Sequence, residues 1–380
     1  MYDISFMLLP VAAASGWYFA TRQFKRKQSG VKLEHSGYFK GLNYLLNEQP
    51  DKAIDVFVDL LEVDNETIEI HLALGTLFRQ RGEVEKSIRL HQNLIARPQM
   101  TSGLRADVLH ELGLDYMRAG LLDRAESIFL ELEKNSEHKL GSCHQLLSIF
   151  QQEREWLAAI DYVVKLEGLE NNRQPQVLSQ LHCEVAEESL AKNELNKAAG
   201  HLKKALKIDP GCVRASVMTA QLFKQNGDFK RALKALLAIR EQDIRFIPVF
   251  LDLILDCFNN LNQAKQKFNF LADLQAGNDS IFVTRRYIDV LIEQEGKQHA
   301  LDYLQEKLLQ EPKQSLLKLF AQVKADNDSD QDSQFFCQII NKLEEELFSF
   351  QCKQCGFTSV DLNWCCPSCK QWAVNEPVVV

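Results

Sequence analysis

The amino-acid sequence predicts an all-α fold, in which stacked helical hairpins form a superhelix between a transmembrane helix and a small metal-binding module. Three observations predict this architecture. Small residues recur at intervals near 34 between residues 35 and 350, the first twenty residues contain a stretch of seventeen without charge, and the last thirty contain two Cys-x-x-Cys pairs. With 46% hydrophobic and 25% charged residues, the 380-residue chain has the composition of a globular protein.

The uncharged stretch, residues 4–20, is predicted to be a transmembrane anchor. As a helix it would span about 26 Å, at the short end for a bilayer core of about 30 Å. Trp17 and Tyr18 stand at one end, and four basic residues follow within residues 22–27. A cleaved signal peptide carries its positive charge before the apolar stretch, although the small residues at 12–15 leave cleavage open. Residues 1–22 are thus the predicted anchor and 23–34 a basic linker, with the rest of the chain in the cytoplasm.

Residues 35–350 are predicted to form about eight to nine helical hairpins. A period near 34 with paired helices is the tetratricopeptide signature, and such hairpins bury their apolar faces by stacking on their neighbours. An unrelated helical bundle would share the 3.6-residue periodicity but not this register. The first helices are marked by Gly41, Gly75, Gly113, Leu147, Ala186, Ala220, Leu255 and roughly Ile288. An aromatic residue stands three positions after most marks, and a small residue stands twelve after, at Ala53, Ser87, Ala125, Ala159, Ala198, Ala232 and Ala300.

An acidic stretch, residues 324–334, interrupts the repeats. Its alternating aspartates resemble the start of a calcium loop, but Gln331 and Cys337 stand where such a loop needs glycine and glutamate. We therefore interpret it as a solvated loop before a last helix at about residues 333–350. That helix is expected to dock the carboxyl-terminal module on the end of the array.

The carboxyl-terminal module, residues 351–380, holds the most specific pattern in the sequence. Cys352 and Cys355 form one Cys-x-x-Cys pair and Cys366 and Cys369 a second, with ten residues between the pairs. Four thiolates at this spacing can close a tetrahedron around one metal ion, iron or zinc. A segment of this length has few other means of holding a fold.

The other cysteines and the aromatic residues of this module are assigned different roles. Cys365 adjoins the second pair but lies outside the paired spacing, so it is not a predicted ligand. Phe357, Trp364 and Trp372 are expected to form an apolar cluster around the metal. A redox disulfide is the alternative for a single Cys-x-x-Cys pair, but no βαβ pattern surrounds these two. The five cysteines elsewhere show no pairing pattern, which is typical of buried thiols in a reducing compartment.

Charge and motif content favour a protein-binding role. A net charge of −8 argues against bulk electrostatic binding to nucleic acid. The sequence has no Gly-rich phosphate loop, G-x-S-x-G elbow or H-E-x-x-H pair, so the protein is not predicted to be an enzyme. Repeat arrays bind partners in a concave groove, and by register Arg79, Gln80, Arg118 and Lys224 are candidates for that surface. An ordinary solvated role is equally open for each of them.

The order of anchor, repeats and cysteine knuckles resembles the lipopolysaccharide assembly protein B family (LapB, also called YciM), whose carboxyl-terminal module is of the rubredoxin type. The resemblance rests on the opening LLPVAAASGWY, on LGTLFRQRGEV from Leu74, on DYMRAGLLDRAE from Asp115 and on both cysteine pairs. It covers essentially the whole chain, and departs from the family at the acidic insertion near 326–332 and at Cys365. The metal ligands that it implies are Cys352, Cys355, Cys366 and Cys369.

The resemblance implies a regulatory protein of the inner membrane of Gram-negative bacteria, single-pass and with its carboxyl-terminal bulk in the cytoplasm. It implies an adaptor that brings LpxC, the deacetylase committing cells to lipid A synthesis, to the membrane protease FtsH. Other membrane proteins of the lipopolysaccharide pathway are further expected partners, nucleic acid is not, and a homo-oligomer is compatible with the sequence. Two alternatives stay open: rubredoxin-like electron transfer through iron, and a periplasmic assembly scaffold of opposite topology.

Overall fold

The structure is a computed structural model that describes residues 68–98, 100–277, 280–325 and 348–379, together with residues 40, 44 and 52. The predicted anchor and linker, most of the first predicted hairpin and the acidic insertion lie outside the described residues. Within the described part of the chain, no helix is both long and apolar enough to cross a membrane. The chain divides into two compact units, Met1–Ile149 and Phe150–Val380.

The described residues of the first unit form helical hairpins. The hairpins predicted around Gly75 and Gly113 are α1 with α2 and α3 with α4, and α5 runs across the boundary between the units. The bounds of these helices are α1 Ile68–Gln80, α2 Val84–Ile95, α3 Ser102–Arg118, α4 Leu122–Leu132 and α5 Lys139–Glu153.

The second unit continues the pattern and then ends in a small sheet. The predicted marks Ala186, Ala220, Leu255 and Ile288 each lie in the first helix of a pair. The helices are α6 Trp156–Glu170, α7 Pro175–Ala191, α8 Leu195–Ile208, α9 Val213–Gln225, α10 Phe229–Leu237, α11 Ile239–Gln242, a 3₁₀ turn Ile244–Phe246, α12 Ile247–Asn260, α13 Ala264–Ala276, α14 Ile281–Glu295, α15 Lys297–Gln310 and α16 Gln314–Ala325.

Packing inside the hairpins explains the small residues of the repeat and confirms the predicted register. A Cβ atom added at Gly75 would lie 2.3 Å from the ring of His91 on α2, and one at Gly113 would lie 2.7 Å from the ring of Phe129 on α4. These two marks are glycine because a side chain of the second helix fills the space that a Cβ atom would need. The matching small residues of the second helices are fully buried at Ser87, Ala125, Ala159, Ala198, Ala232 and Ala300.

The carboxyl-terminal strands form an antiparallel sheet of order β2-β1-β3, with β1 Phe348–Cys352, β2 Thr358–Ser359 and β3 Asn375–Val379. Phe350 pairs with Ser359 on one side and with Pro377 on the other. The prediction that the last helix continues to residue 350 is therefore wrong. The sequence FSFQC alternates apolar and polar residues, which suits a strand with one buried face, and Phe350 and Cys352 are indeed buried.

Candidate metal centre

The structure brings the four predicted metal ligands together. The sulfur of Cys352 lies 3.7 Å from that of Cys369, and the sulfur of Cys355 lies 3.7 Å from that of Cys366. All four sulfurs lie within 4.8 Å of one another. Sulfurs bonded tetrahedrally at about 2.3 Å from zinc would be about 3.8 Å apart, so the group fits one metal ion. A set of four thiolates suits iron as well as zinc.

Each cysteine pair lies on a turn that is closed by the same backbone hydrogen bond. The carbonyl of Cys352 accepts from the N–H of Gly356 at 2.9 Å, and the carbonyl of Cys366 accepts from the N–H of Lys370 at 2.9 Å. Both donors have left-handed backbone angles, with φ of +75° at Gly356 and +59° at Lys370. Glycine adopts this conformation without strain, whereas the lysine takes a conformation that costs a non-glycine residue about 1–2 kcal/mol.

Two of the four thiols have pKa values that are shifted by their close neighbours. The backbone N–H of Phe357, followed by the neighbouring thiols, lowers the pKa of Cys355 to about 6. The backbone N–H of Gln371 acts in the same direction on Cys369, but three neighbouring thiols outweigh it and raise the pKa of Cys369 to about 12. A divalent cation would supply the positive charge that allows all four groups to ionise together.

Cys365 stands apart from the four. Its sulfur is a donor to the Lys370 carbonyl at 3.5 Å, and its backbone forms an isolated bridge with Trp372. Burial raises the pKa of this thiol, and Glu184 and Arg214 of the repeats lie within electrostatic range of it. Cys365 is not among the four cysteines whose sulfurs cluster, which agrees with its exclusion from the predicted ligands.

The tryptophans of the module face the repeats, so the prediction that they pack around the metal is wrong. Trp364 stacks on Phe246 with ring centroids 5.8 Å apart, and Trp372 meets Trp156 of α6 edge-on at 6.3 Å. Phe357 is 37% exposed. A three-stranded sheet of this size has little interior of its own, and its large rings bury more apolar area against the helices.

The docking position also differs from the expected end of the array. Trp364, with Leu362, packs on an apolar cluster that includes Phe246, just before α12, while α13 to α16 follow later in the chain. Arg245 of the 3₁₀ turn pairs with Glu376 of β3 at 2.6 Å. In the described residues the module therefore attaches to the middle of the second unit, since the apolar and charged partners of its side chains lie there.

Arg79, one of the four groove candidates, is committed to contacts within the protein. Its guanidinium lies 2.7 Å from Glu111 and 2.8 Å from Asp115, both on α3. Asp115 is fully buried, accepts a hydrogen bond from Ser87 at 2.8 Å, and lies 2.6 Å from Nδ1 of His91. Burial raises the pKa of Glu111, but hydrogen bonds from His110 and Arg79 outweigh it and lower that pKa to about 2. The arginine ties the first helices of two successive hairpins together.

The other three candidates are more accessible. Gln80 and Arg118 are exposed, and Lys224 is partly exposed and pairs with Asp256 at 2.6 Å. Partner binding by these residues stays a prediction. The ion pairs of Arg79 with α3 and of Lys224 with α12 each join residues 32 positions apart, close to one repeat. Opposite charges at the repeat spacing are therefore the sequence signal that could have distinguished a structural ion pair from a free groove residue.

Comparison with known proteins agrees with this architecture. Residues 70–100 and 189–243 each match the tetratricopeptide repeat family. Lipopolysaccharide assembly protein B of Escherichia coli strain K12 is 33% identical over 383 residues, which cover 100% of this chain and 98% of that protein. The protein of the same name from Haemophilus influenzae strain Rd is 33% identical over 395 residues, with the same coverage. The chain therefore belongs to the lipopolysaccharide assembly protein B family.

Proposed function

We propose that this protein is a non-enzymatic adaptor in lipopolysaccharide assembly. The observation that carries the proposal is the docked metal module. Four clustered cysteines could cross-link the module through one metal ion, and Trp364 and Glu376 of the module contact the 3₁₀ turn of the repeats. The metal site thereby shapes a composite surface of sheet and helices, and repeat arrays use such surfaces to bind proteins. The relatives' name supplies the pathway.

The partners in this proposal are the LpxC deacetylase and the membrane protease FtsH, which the adaptor brings together. The apolar stretch at residues 4–20 and the basic residues after it support a tether in the inner membrane with the repeats in the cytoplasm. A tether confines the adaptor to the membrane plane, where a membrane protease is also found, and so raises the effective concentration of the two proteins. Family resemblance supports the choice of partners.

The metal has a structural role in this account. Cys352, Cys355, Cys366 and Cys369 would hold it, and its bonds would supply the cross-link between the two turns. The chain's own residues do the rest. Cys366 is fully buried, and Arg245 and Trp364 hold the module on the repeats.

A pull-down from membranes with mass spectrometry tests this function. We expect the full-length chain to retain a deacetylase and a membrane protease together, and the Cys366→Ser variant to lose at least one of them. Cys365→Ser is the matched control, because it removes a neighbouring thiol outside the ligand set and should retain both. Equal capture by the wild type and Cys366→Ser would contradict a role for the metal module. Capture of redox enzymes in place of these partners would support electron transfer instead.

A further inference from the structure

A strongly basic surface lies on α8 and α10, two second helices of successive hairpins. Residues 195–240 contain ten Lys and Arg against two Asp and no Glu, a net charge of +8 in a chain whose net charge is −8. Five exposed lysines, here called the lysine face, form its accessible part. None of the five pairs with a carboxylate in the part of the chain that the structure describes. They are Lys203, Lys204 and Lys207 on α8 and Lys230 and Lys234 on α10.

The fold places these lysines on one side of the array. Ala198, Leu202 and Ala205 bury the opposite side of α8, and Ala232 and Leu236 bury the opposite side of α10. The outward positions of each helix are therefore left to the lysines.

The two helices belong to successive hairpins, α7 with α8 and α9 with α10. Both α8 and α10 pack against α9, which joins them in the chain. The side chain of Gln242, at the end of α11, donates a hydrogen bond to the Pro210 carbonyl at 2.7 Å, which joins the ends of the two hairpins. Burial and then the positive charge of Lys204 lower the pKa of His201, a partly exposed residue of the same helix.

We propose that the lysine face contacts the anionic surface of the membrane that holds the protein. The chemistry favours a lipid surface over a protein partner. Within residues 195–240 no large apolar side chain is exposed, whereas the cores of protein interfaces are rich in aromatic residues and arginine and poor in lysine. Unpaired lysines on a polar helical face are suited to the diffuse negative charge of lipid headgroups.

This inference rests on the membrane tether of the proposed function, because the tether keeps the face close to the bilayer. Once the anchor is in the bilayer, binding of the lysine face to the same bilayer is intramolecular, so that even a weak electrostatic contact forms most of the time. The consequence is an oriented array: α8 and α10 would face the membrane, and the remaining surfaces, including the docked metal module, would be presented to proteins in fixed directions.

The test uses the full-length protein in nanodiscs of phosphatidylcholine, with or without about 30 mol% phosphatidylglycerol. Lysine acylation measured by mass spectrometry reports the accessibility of each amine. In the anionic discs we expect acylation of the lysine face to fall at least about threefold, and salt at about 0.5 M to restore it, because the screening length is then about 4 Å. Equal acylation in both lipids would overturn the proposal.

Matched variants separate the lysine face from general charge effects. Lys203→Glu with Lys234→Glu alters the face, and Lys134→Glu with Lys265→Glu alters two exposed lysines elsewhere by the same total charge. The first variant should lose the lipid-dependent protection of its remaining face lysines, and the second should keep it. If both behave alike while their helicity is unchanged, the face has no specific role.

Two further outcomes distinguish this inference from the proposed function. A chain that does not enter nanodiscs overturns the tether, and flotation of the same chain with anionic vesicles at low salt then tests the lysine face directly. Protection of the face by added RNA or by an acidic polypeptide in neutral discs, without protection by anionic lipid, would overturn the membrane assignment in favour of another polyanion.

Discussion

Replacing Arg79 with alanine should destabilise the first unit, although the sequence made the residue a candidate for the partner-binding groove. The side chain is only 15% exposed and its guanidinium lies against Glu111 and the fully buried Asp115. Removing one partner of a buried ion pair costs about 3–5 kcal/mol, and the hydrogen bonds that Asp115 still receives from Ser87 and His91 place the cost near the lower limit. We therefore expect about 3 kcal/mol.

Hydrogen exchange with mass spectrometry measures this effect in the first unit alone. A loss of about 3 kcal/mol lowers the protection of α1 and α3 by about two orders of magnitude, at about 1.4 kcal/mol for each factor of ten. Arg118→Ala is the matched control, since the residue is exposed and its loss should change stability by no more than about 0.5 kcal/mol. Equal protection in the two variants would refute the assignment of Arg79 as a structural tie.

Three further predictions concern docking, hairpin packing and acid stability. Trp364→Ala should weaken the docking of the module by about 2–3 kcal/mol while the metal stays bound, because the ligands are untouched. The expected result is faster hydrogen exchange in β1 with unchanged metal content. Phe357→Ala, at an exposed ring, is the control and should leave both the exchange and the metal content unchanged. Gly113→Ala should cost about 1–3 kcal/mol in thermal unfolding, since its Cβ would lie 2.7 Å from the Phe129 ring. Burial, with nearby positive groups, lowers the pKa of His182 to about 4. The neutral side chain therefore contributes to the free energy of unfolding above pH 6.5, and this contribution is lost as the pH falls towards 4. In His182→Gln the urea midpoint should change less with pH across that window.

The repeat register was predictable because close packing leaves few residue types at two positions of each hairpin. Gly75 and Gly113 have no room for a side chain, and Ala198 and Ala232 are fully buried. These constraints recur with the repeat and are therefore visible in the sequence as a period. The hairpin of α12 and α13 departs from this period. Lys267 stands twelve positions after Leu255, where the other hairpins carry a small residue.

The metal ligands were predictable and the docking of the module was not. Cysteine spacing encodes a tetrahedral site locally, so the four sulfurs could be assigned without knowledge of the fold. Docking depends on residues more than a hundred positions apart, such as Phe246 with Trp364 and Trp156 with Trp372. An aromatic side chain in a small module has the same sequence signature whether it faces the metal or a neighbouring helix.

The central claim, that four defined thiolates hold one metal ion and thereby the docked module, is tested most directly by metal content. We would measure iron and zinc per chain in five single cysteine-to-serine variants of the full-length protein. The account predicts that Cys352→Ser, Cys355→Ser, Cys366→Ser and Cys369→Ser lose the metal, whereas Cys365→Ser keeps one ion per chain. An empty site in Cys365→Ser together with a loaded site in Cys366→Ser would contradict the account.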